Sequence, residues 1–112
     1  EEAPADPLLD GVRKLYLERL DDPPSVAELA ARLGISTRQF LRRFRARFGA
    51  SPTGYAARVR FEHARELLLA PGLRLGEAAE RLGFAGLPEF SRWFKKMDGR
   101  SPDAFRRSPD VM

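Results

Sequence analysis

Residues 44–52 and 94–102 repeat one pattern, and this repeat constrains the fold more than any other feature of the 112-residue chain. The two stretches read FRARFGASP and FKKMDGRSP. Aligning the two halves extends the repeat. At an offset of 49, Ala30, Leu33 and Gly34 match Ala79, Leu82 and Gly83. At an offset of 50, the matching residues are Phe40, Phe44, Gly49, Ser51, Pro52 and Tyr55 with Phe90, Phe94, Gly99, Ser101, Pro102 and Phe105. The one-residue change falls in a turn, where an insertion costs little. The chain therefore encodes one structural unit twice.

Apolar residues recur at helical spacing in both copies, and strand alternation is absent from the sequence. In the first copy, Phe40, Phe44 and Phe48 are four residues apart, as on one face of a helix. Helix starts are indicated by the capping-box spacings of Ser25 with Glu28 and of Ser36 with Gln39, and glycines stand at the expected ends. We expect an all-α fold of seven helices, at about 8–20, 26–33, 37–48, 52–70, 74–82, 88–97 and from 102.

Each half thus contains a short helix, a tight turn and a longer helix. This is the outline of a helix-turn-helix, whose second helix commonly enters a DNA major groove. A plain helical bundle with a duplicated hairpin is the alternative. The predicted organisation is a tail at 1–7, a first helix-turn-helix subdomain at 8–50, a connecting helix at 51–70, a second subdomain at 71–108 and a tail at 109–112.

Composition excludes several function classes. The chain has no cysteine and one histidine, His63, so disulfides, thiolate metal sites and histidine clusters are not expected. No apolar run approaches the ~18 residues of a membrane span, and no nucleophile and base can be paired, so we expect neither an enzyme nor a cofactor. Residues 1–24 carry a net charge of −4 and the remainder carries +8. Basic charge set apart from an acidic arm favours a polyanionic partner.

An arginine stripe lies opposite the phenylalanines of helix 37–48. At 100° per residue, Arg42 and Arg45 fall within about 40° of Arg38, whereas Phe40 and Phe44 fall on the far side. Residues 36–49 contain five arginines and no acid, although a solvated charged face usually mixes signs. The pattern favours DNA contact. In the second half the matching stripe is Pro88, Ser91, Arg92 and Lys95, flanked by Leu87 and Glu89.

These residues resemble the AraC/XylS family of bacterial transcription regulators. The matching stretches are VAELAARLGISTRQFLRRFRARFGASPTGY, RFEHARELL and EAAERLGFAGLPEFSRWFKKMDGRSP, and the resemblance covers roughly residues 8–108. It implies seven helices, with two homeodomain-like helix-turn-helix subdomains joined by a long helix. It also implies that both recognition helices enter successive major grooves, about 34 Å apart, on one face of double-stranded DNA. A helix over 55–70 would span about 24 Å.

The resemblance assigns base reading in the first subdomain to Arg38, Leu41 and Arg42. An arginine can form a bidentate contact with guanine, whereas Leu41 could touch a thymine methyl group or simply cover the core edge. Ser36 is expected to hold a phosphate through its hydroxyl and backbone N–H. The corresponding positions of the second subdomain are Leu87, Pro88, Glu89, Ser91 and Arg92.

The second subdomain departs from the family pattern at its recognition helix. Pro88 should direct Leu87 away from helical geometry, so the helix is expected to begin at Pro88. Glu89 could accept from a cytosine amino group, but an acid in a first turn is favourable without DNA. Asp98 stands at the position of the aromatic Phe48 in the first repeat, and Met97 and Trp93 are expected to pack there in its place.

Other residues have more ordinary interpretations. Arg43 and Arg47 fall near the aromatic side of their helix, where we expect them to cover the core edge or pair with acids. His63 has no histidine or acidic partner at ligand spacing, so we expect a structural or exposed role. Arg58, Arg60 and Arg65 fit phosphate contact or pairing with nearby glutamates, and Arg100, Arg106 and Arg107 fit phosphate contact.

The predicted function is sequence-specific binding of double-stranded DNA, as the output domain of a bacterial transcription regulator. The resemblance further implies a cytoplasmic protein with an activator role, contact with RNA polymerase and a ligand-sensing domain before residue 1. The alternative is a helical protein-interaction module that binds an acidic partner. The target sequence, the inducing ligand, the choice between activator and repressor, and the oligomeric state of the parent protein cannot be read from the chain.

Overall fold

The computed structural model describes residues 5–109, and every regular element in that range is helical. A 3₁₀ turn at Pro7–Leu9 precedes the seven α-helices, which are α1 (Val12–Glu18), α2 (Val26–Leu33), α3 (Thr37–Phe48), α4 (Pro52–Leu69), α5 (Leu75–Arg81), α6 (Leu87–Asp98) and α7 (Pro102–Arg107). The expected all-α fold of seven helices is confirmed. No helix among these combines the length and apolarity needed to cross a membrane.

The N-terminal segment differs from the single helix expected at 8–20. Its first residues form the 3₁₀ turn, and α1 begins only after Gly11, its N-cap residue. A glycine costs ~1 kcal/mol within a helix relative to alanine, so a break at this position is inexpensive. α1 then ends at Glu18, because Arg19 has left helical geometry with φ −135°.

Side chains accept hydrogen bonds from backbone amides at the starts of five described helices, α2 to α5 and α7. The capping box of α3 is complete, since the Ser36 amide donates to Gln39 Oε1 at 3.0 Å and the Gln39 amide donates to Ser36 Oγ at 3.1 Å. The box expected at α2 is formed by half, because Ser25 Oγ accepts from the Glu28 amide while the Glu28 carboxylate accepts from Arg19 Nη1 at 2.6 Å. For α5, the Glu77 carboxylate accepts from the Arg74 amide at 3.0 Å.

The chain divides into two compact units, one up to Arg60 and one from Phe61 onward. The division falls within α4. The predicted subdomain limits treat 51–70 as a separate connecting segment, and they remain a prediction.

The first unit buries a core built from five of its helical elements. Phe40 and Phe44 of α3 are fully buried. The Phe48 and Tyr55 rings pack at 4.4 Å between centroids, and Phe44 meets Tyr55 edge-on at 5.5 Å. The other buried members of this core are Leu9, Val12, Tyr16, Leu29, Ala30 and Val59. The inward face of α3 is therefore the aromatic one, as the four-residue spacing predicts.

The second unit repeats this arrangement around Phe90, Phe94 and Phe105, which are fully buried. Trp93 packs against Phe84, with ring centroids 5.1 Å apart, so it belongs to this core. Met97 is 42% exposed, which leaves over half of it covered, so its expected packing stays a prediction.

An ion pair at position 98 of the second unit stands where the first unit has an aromatic ring. Arg100 Nε lies 2.7 Å from Asp98 Oδ2, and the guanidinium stands 5.0 Å from the centre of the Phe105 ring. Phe105 matches Tyr55 in the repeat, and Asp98 matches Phe48. A cation–π contact over Phe105 thus stands where a ring covers Tyr55 in the first unit.

Candidate nucleic-acid interface

The outward face of α3 is a stripe of exposed basic side chains. Arg38, Arg42 and Arg45 are exposed, on the side of the helix away from the fully buried Phe40 and Phe44. The complete capping box fixes the start of α3, and Gly49, with φ +68°, ends it. The packed rings therefore hold the helix so that the three arginines face solvent, as the angular analysis predicts.

These three arginines have no ion-pair partner among the residues that the structure describes. Within residues 5–109, no hydrogen bond or ion pair engages the side chain of Arg38, Arg42 or Arg45, and the first turn of α3 contains no acid. Exposed arginines on a helix are generally stabilised by nearby acids. A stripe that carries only positive charge therefore attracts an anion more strongly than a stripe of mixed charge. Such a stripe can contact phosphates, and its planar guanidinium groups match the acceptor pair of guanine.

Arg43 and Arg47 have different environments from the stripe, as expected. Arg43 donates to both oxygens of Asp6, at 2.9 Å from Nε and 2.7 Å from Nη2. The hydrogen bond from Arg43 lowers the pKa of Asp6 below its ordinary value. The Arg47 guanidinium lies 5.0 Å from the centre of the Phe48 ring, over the edge of the core. Arg43 and Arg47 thus contact other parts of the fold, whereas Arg38, Arg42 and Arg45 lie on the exposed face.

Ser36 is the N-cap of α3, but both groups that were expected to hold a phosphate are already engaged. Its amide and hydroxyl form the capping box with Gln39. The first amides of a helix have no carbonyl partner within it, so those of Thr37 and Arg38 are better placed to meet an anion. The sequence pattern does not single out Thr37, because a backbone group has no side-chain signature.

Leu41 lies on the exposed side of α3 and is 44% exposed. That exposure leaves over half of the residue covered, so both its interpretations, contact with a thymine methyl group and cover for the core edge, stay open.

α6 begins one residue earlier than expected. Leu87 is its first helical residue, Pro88 occupies the second position, and Gly86 is an extended N-cap with φ −174°. Proline is tolerated in the first turn because its missing N–H has no helical partner there. The expectation that Pro88 would force Leu87 out of the helix is therefore wrong.

The predicted residues of the second subdomain all belong to α6. Leu87, Pro88, Glu89, Arg92 and Lys95 are exposed. Ser91 is half-buried. Glu89 Oε2 lies 3.9 Å from Arg92 Nη2, a loose pair between exposed groups. Unlike the stripe of α3, the outward face of α6 carries an acid beside its matching arginine.

Several arginines that fit phosphate contact are engaged by other groups of the protein. Arg106 Nε donates to the Leu68 carbonyl at 2.8 Å, near the end of α4, and Arg100 is held by Asp98 and by the Ser108 carbonyl. Arg65 lies over the rings of Phe61 and Phe105. The Arg106 contact joins residues 38 apart and leaves no signature in the local sequence, whereas Arg65 with Phe61 and Arg100 with Asp98 are close in sequence.

The expectation that His63 has no acidic partner is wrong, because residues three apart are neighbours on a helix. His63 Nδ1 lies 3.3 Å from Glu66 Oε1, three residues further along α4. Among residues 5–109, however, no three metal-ligating side chains of the His, Cys, Asp or Glu types come together.

Comparison with known proteins connects this geometry to a family. A family model described as a helix-turn-helix domain matches residues 29–108. A probable AraC family transcriptional regulator from Rhodopseudomonas palustris has a similar structure, with a TM-score of 0.64, 30% identity and coverage of 91% of this chain and 96% of that one. The chain belongs to the AraC/XylS family of DNA-binding helix-turn-helix domains. The predicted family is confirmed.

Other relatives in the AraC/XylS family include a domain solved with DNA and two longer regulators. The DNA-binding domain of AdpA, solved in complex with a target DNA, is 34% identical with a TM-score of 0.70, and the match covers 96% of this chain and 100% of that one. The ornithine utilization regulator of Pseudomonas aeruginosa is 35% identical over 91% of this chain and 30% of its own length. The regulator GbdR of the same species is 31% identical over 86% and 26%. This AraC/XylS domain thus spans about a quarter to a third of these two relatives.

Proposed function

We propose that this chain binds double-stranded DNA sequence-specifically through the outward faces of α3 and α6 and thereby regulates transcription. The observation that carries the proposal is the stripe of Arg38, Arg42 and Arg45, which is exposed and unpaired within the described residues. The family provides the ligand class, since the similar AdpA domain was solved with its target DNA.

Affinity and specificity come from different contacts. Basic side chains that neutralise phosphates release counterions, so affinity falls steeply with salt and depends little on sequence. Base edges in the major groove are read by side chains near the start of a recognition helix. Arg38 and Arg42 are the proposed guanine readers on α3, and Arg45, a turn further along, contributes to phosphate attraction.

The repeat supports a bipartite DNA site. We expect the two recognition helices to use two successive major grooves, because each half of the chain encodes its own helix-turn-helix. Half-site spacing tests this directly. Inserting about five base pairs between the half-sites turns one of them to the opposite face of the duplex, and binding should then fall to that of a single half-site.

The decisive experiment is an unbiased selection from random double-stranded DNA, followed by affinity measurements in excess nonspecific competitor. The proposal expects an enriched sequence whose binding survives the competitor and weakens with salt. Loss of all preference under competition, together with tight capture of an acidic protein partner, would favour the helical protein-interaction module instead.

The role of a longer parent protein is a further part of the proposal. The curated relatives are about three to four times as long as the matched region, which supports a further domain in the parent protein. We propose that this domain precedes residue 1 and senses a ligand. One relative is named a transcriptional activator, NphR of Rhodococcus, which supports an activator role. Contact with RNA polymerase and a cytoplasmic location are further parts of the proposal. A reporter gene behind the selected site tests activation, since a repressor would lower its expression.

A further inference from the structure

The first turns of the two recognition helices differ in chemistry. Residues 37–39 at the start of α3 are Thr, Arg and Gln, and all three are exposed. The matching residues 87–89 at the start of α6 are Leu, Pro and Glu, also exposed, with Leu87 at 37%. One helix therefore begins with polar and basic groups, and the other begins with apolar groups and an acid.

The first turn is the part of a recognition helix that meets the bases. Helical Cα–Cβ bonds tilt toward the N-terminus, so first-turn side chains project ahead of the helix. In helix-turn-helix proteins, N-terminal residues of the recognition helix contact base edges. Leu87 and Pro88 would thus bring apolar surface to the floor of the groove. The C5-methyl group of thymine is the apolar feature that the bases present there.

Glu89 makes the start of α6 unsuited to guanine and phosphate. Its carboxylate lies 3.9 Å from the Arg92 guanidinium and therefore offsets part of the nearest positive charge. Gly86 gives the helix no side-chain cap. Guanine presents two acceptor atoms in the major groove, and a carboxylate beside them would be repelled rather than bound.

We propose that α6 selects thymine through apolar contact between Leu87 and the C5-methyl group, whereas α3 selects guanine through its arginines. This inference rests on the proposed DNA-binding function and adds the chemistry that each half-site must offer. The bipartite site then has one half with preferred guanines and one half with preferred thymines.

Replacing thymine by uracil removes only the methyl group and tests the contact directly. On the selected site, uracil at the preferred thymines of the α6 half should weaken wild-type binding about fourfold for each contacted methyl, equivalent to ~0.8 kcal/mol. Leu87→Ala should bind the thymine and uracil sites equally. Leu87→Gln should shift the preference at that position toward adenine, which accepts a bidentate glutamine contact.

Two controls identify the surface. Leu69→Ala removes a more exposed leucine, 53% exposed on α4 and outside both recognition helices, and should keep the full discrimination between thymine and uracil. Leu41→Ala should likewise keep the discrimination between thymine and uracil in the α6 half. Wild-type binding that ignores uracil in that half, or a Leu87→Ala protein that still discriminates, overturns the thymine contact while DNA binding stands. Failure of the wild type to select any sequence removes the proposed function itself.

Discussion

Arg42 and Arg43 are consecutive residues of α3 in opposite environments, so paired alanine substitutions separate DNA reading from folding. Each substitution removes one guanidinium and one positive charge. Arg42 is exposed and makes no hydrogen bond or ion pair within residues 5–109. Arg43 instead holds the Asp6 carboxylate through two hydrogen bonds. Any difference between the variants therefore reflects position, because the change in charge is the same.

Arg42→Ala should change recognition and leave stability unchanged. Removal of a bidentate guanine contact costs ~1–3 kcal/mol, which weakens binding to the selected site about 5- to 140-fold. The variant should also relax the preference at one or two base pairs of one half-site. Its free energy of unfolding should stay within ~0.5 kcal/mol of wild type, since the side chain supports no packing.

Arg43→Ala should give the opposite result. It leaves Asp6 without its partner and should lower the unfolding midpoint, while the folded variant keeps the wild-type base preference. Selection followed by sequencing measures the base preference, and fluorescence anisotropy measures the affinity. Urea unfolding followed by circular dichroism measures the stability. If Arg42→Ala weakened all sequences equally, Arg42 would be a phosphate contact. If both variants altered the preference alike, the assignment of the two faces would be refuted.

Three further substitutions test the electrostatics and the exposed stripe. Arg45→Ala should reduce the salt dependence of log K by about 0.9 on any DNA sequence, because the protein then neutralises one phosphate fewer; a salt titration measures it. The hydrogen bond from Arg43 lowers the pKa of Asp6, so its stabilisation is present above the ordinary value of 3.8 and disappears as pH falls below it. Asp6→Asn should remove that acid-dependent part in urea unfolding between about pH 2 and 6. Burial raises the pKa of Tyr16 from 10.0 to about 12, so stability should fall as pH rises through that interval. Tyr16→Phe should abolish the corresponding step in an ultraviolet titration.

The sequence by itself determined the helices and the orientation of their faces. Phenylalanines four residues apart predict the buried side of α3, and the structure buries Phe40 and Phe44 fully. Ser36 and Gln39 predict the start of that helix, and both bonds of the capping box form. These features are local, because helical periodicity and caps involve residues three or four apart. The outward position of Arg38, Arg42 and Arg45 follows from the same periodicity.

Only the tertiary structure decided the partners of long polar side chains that bond to residues distant in sequence. Arg43 reaches Asp6, 37 residues earlier, and Arg106 reaches the carbonyl of Leu68, 38 residues earlier. Glu28 had a local partner available at its own helix start, yet its carboxylate binds Arg19. Such choices depend on which distant element packs within a few ångströms, and helical periodicity carries no information about that.

The same limit applies to the cover of the Phe105 ring. The sequence shows that Asp98 stands where the first repeat has an aromatic residue, and Met97 is the nearby apolar replacement. In the structure, Asp98 holds Arg100 over the Phe105 ring, so a charged group covers the core edge while Met97 stays exposed. The repeat determines that the Phe105 ring needs cover, but only the packed geometry determines which side chain reaches it.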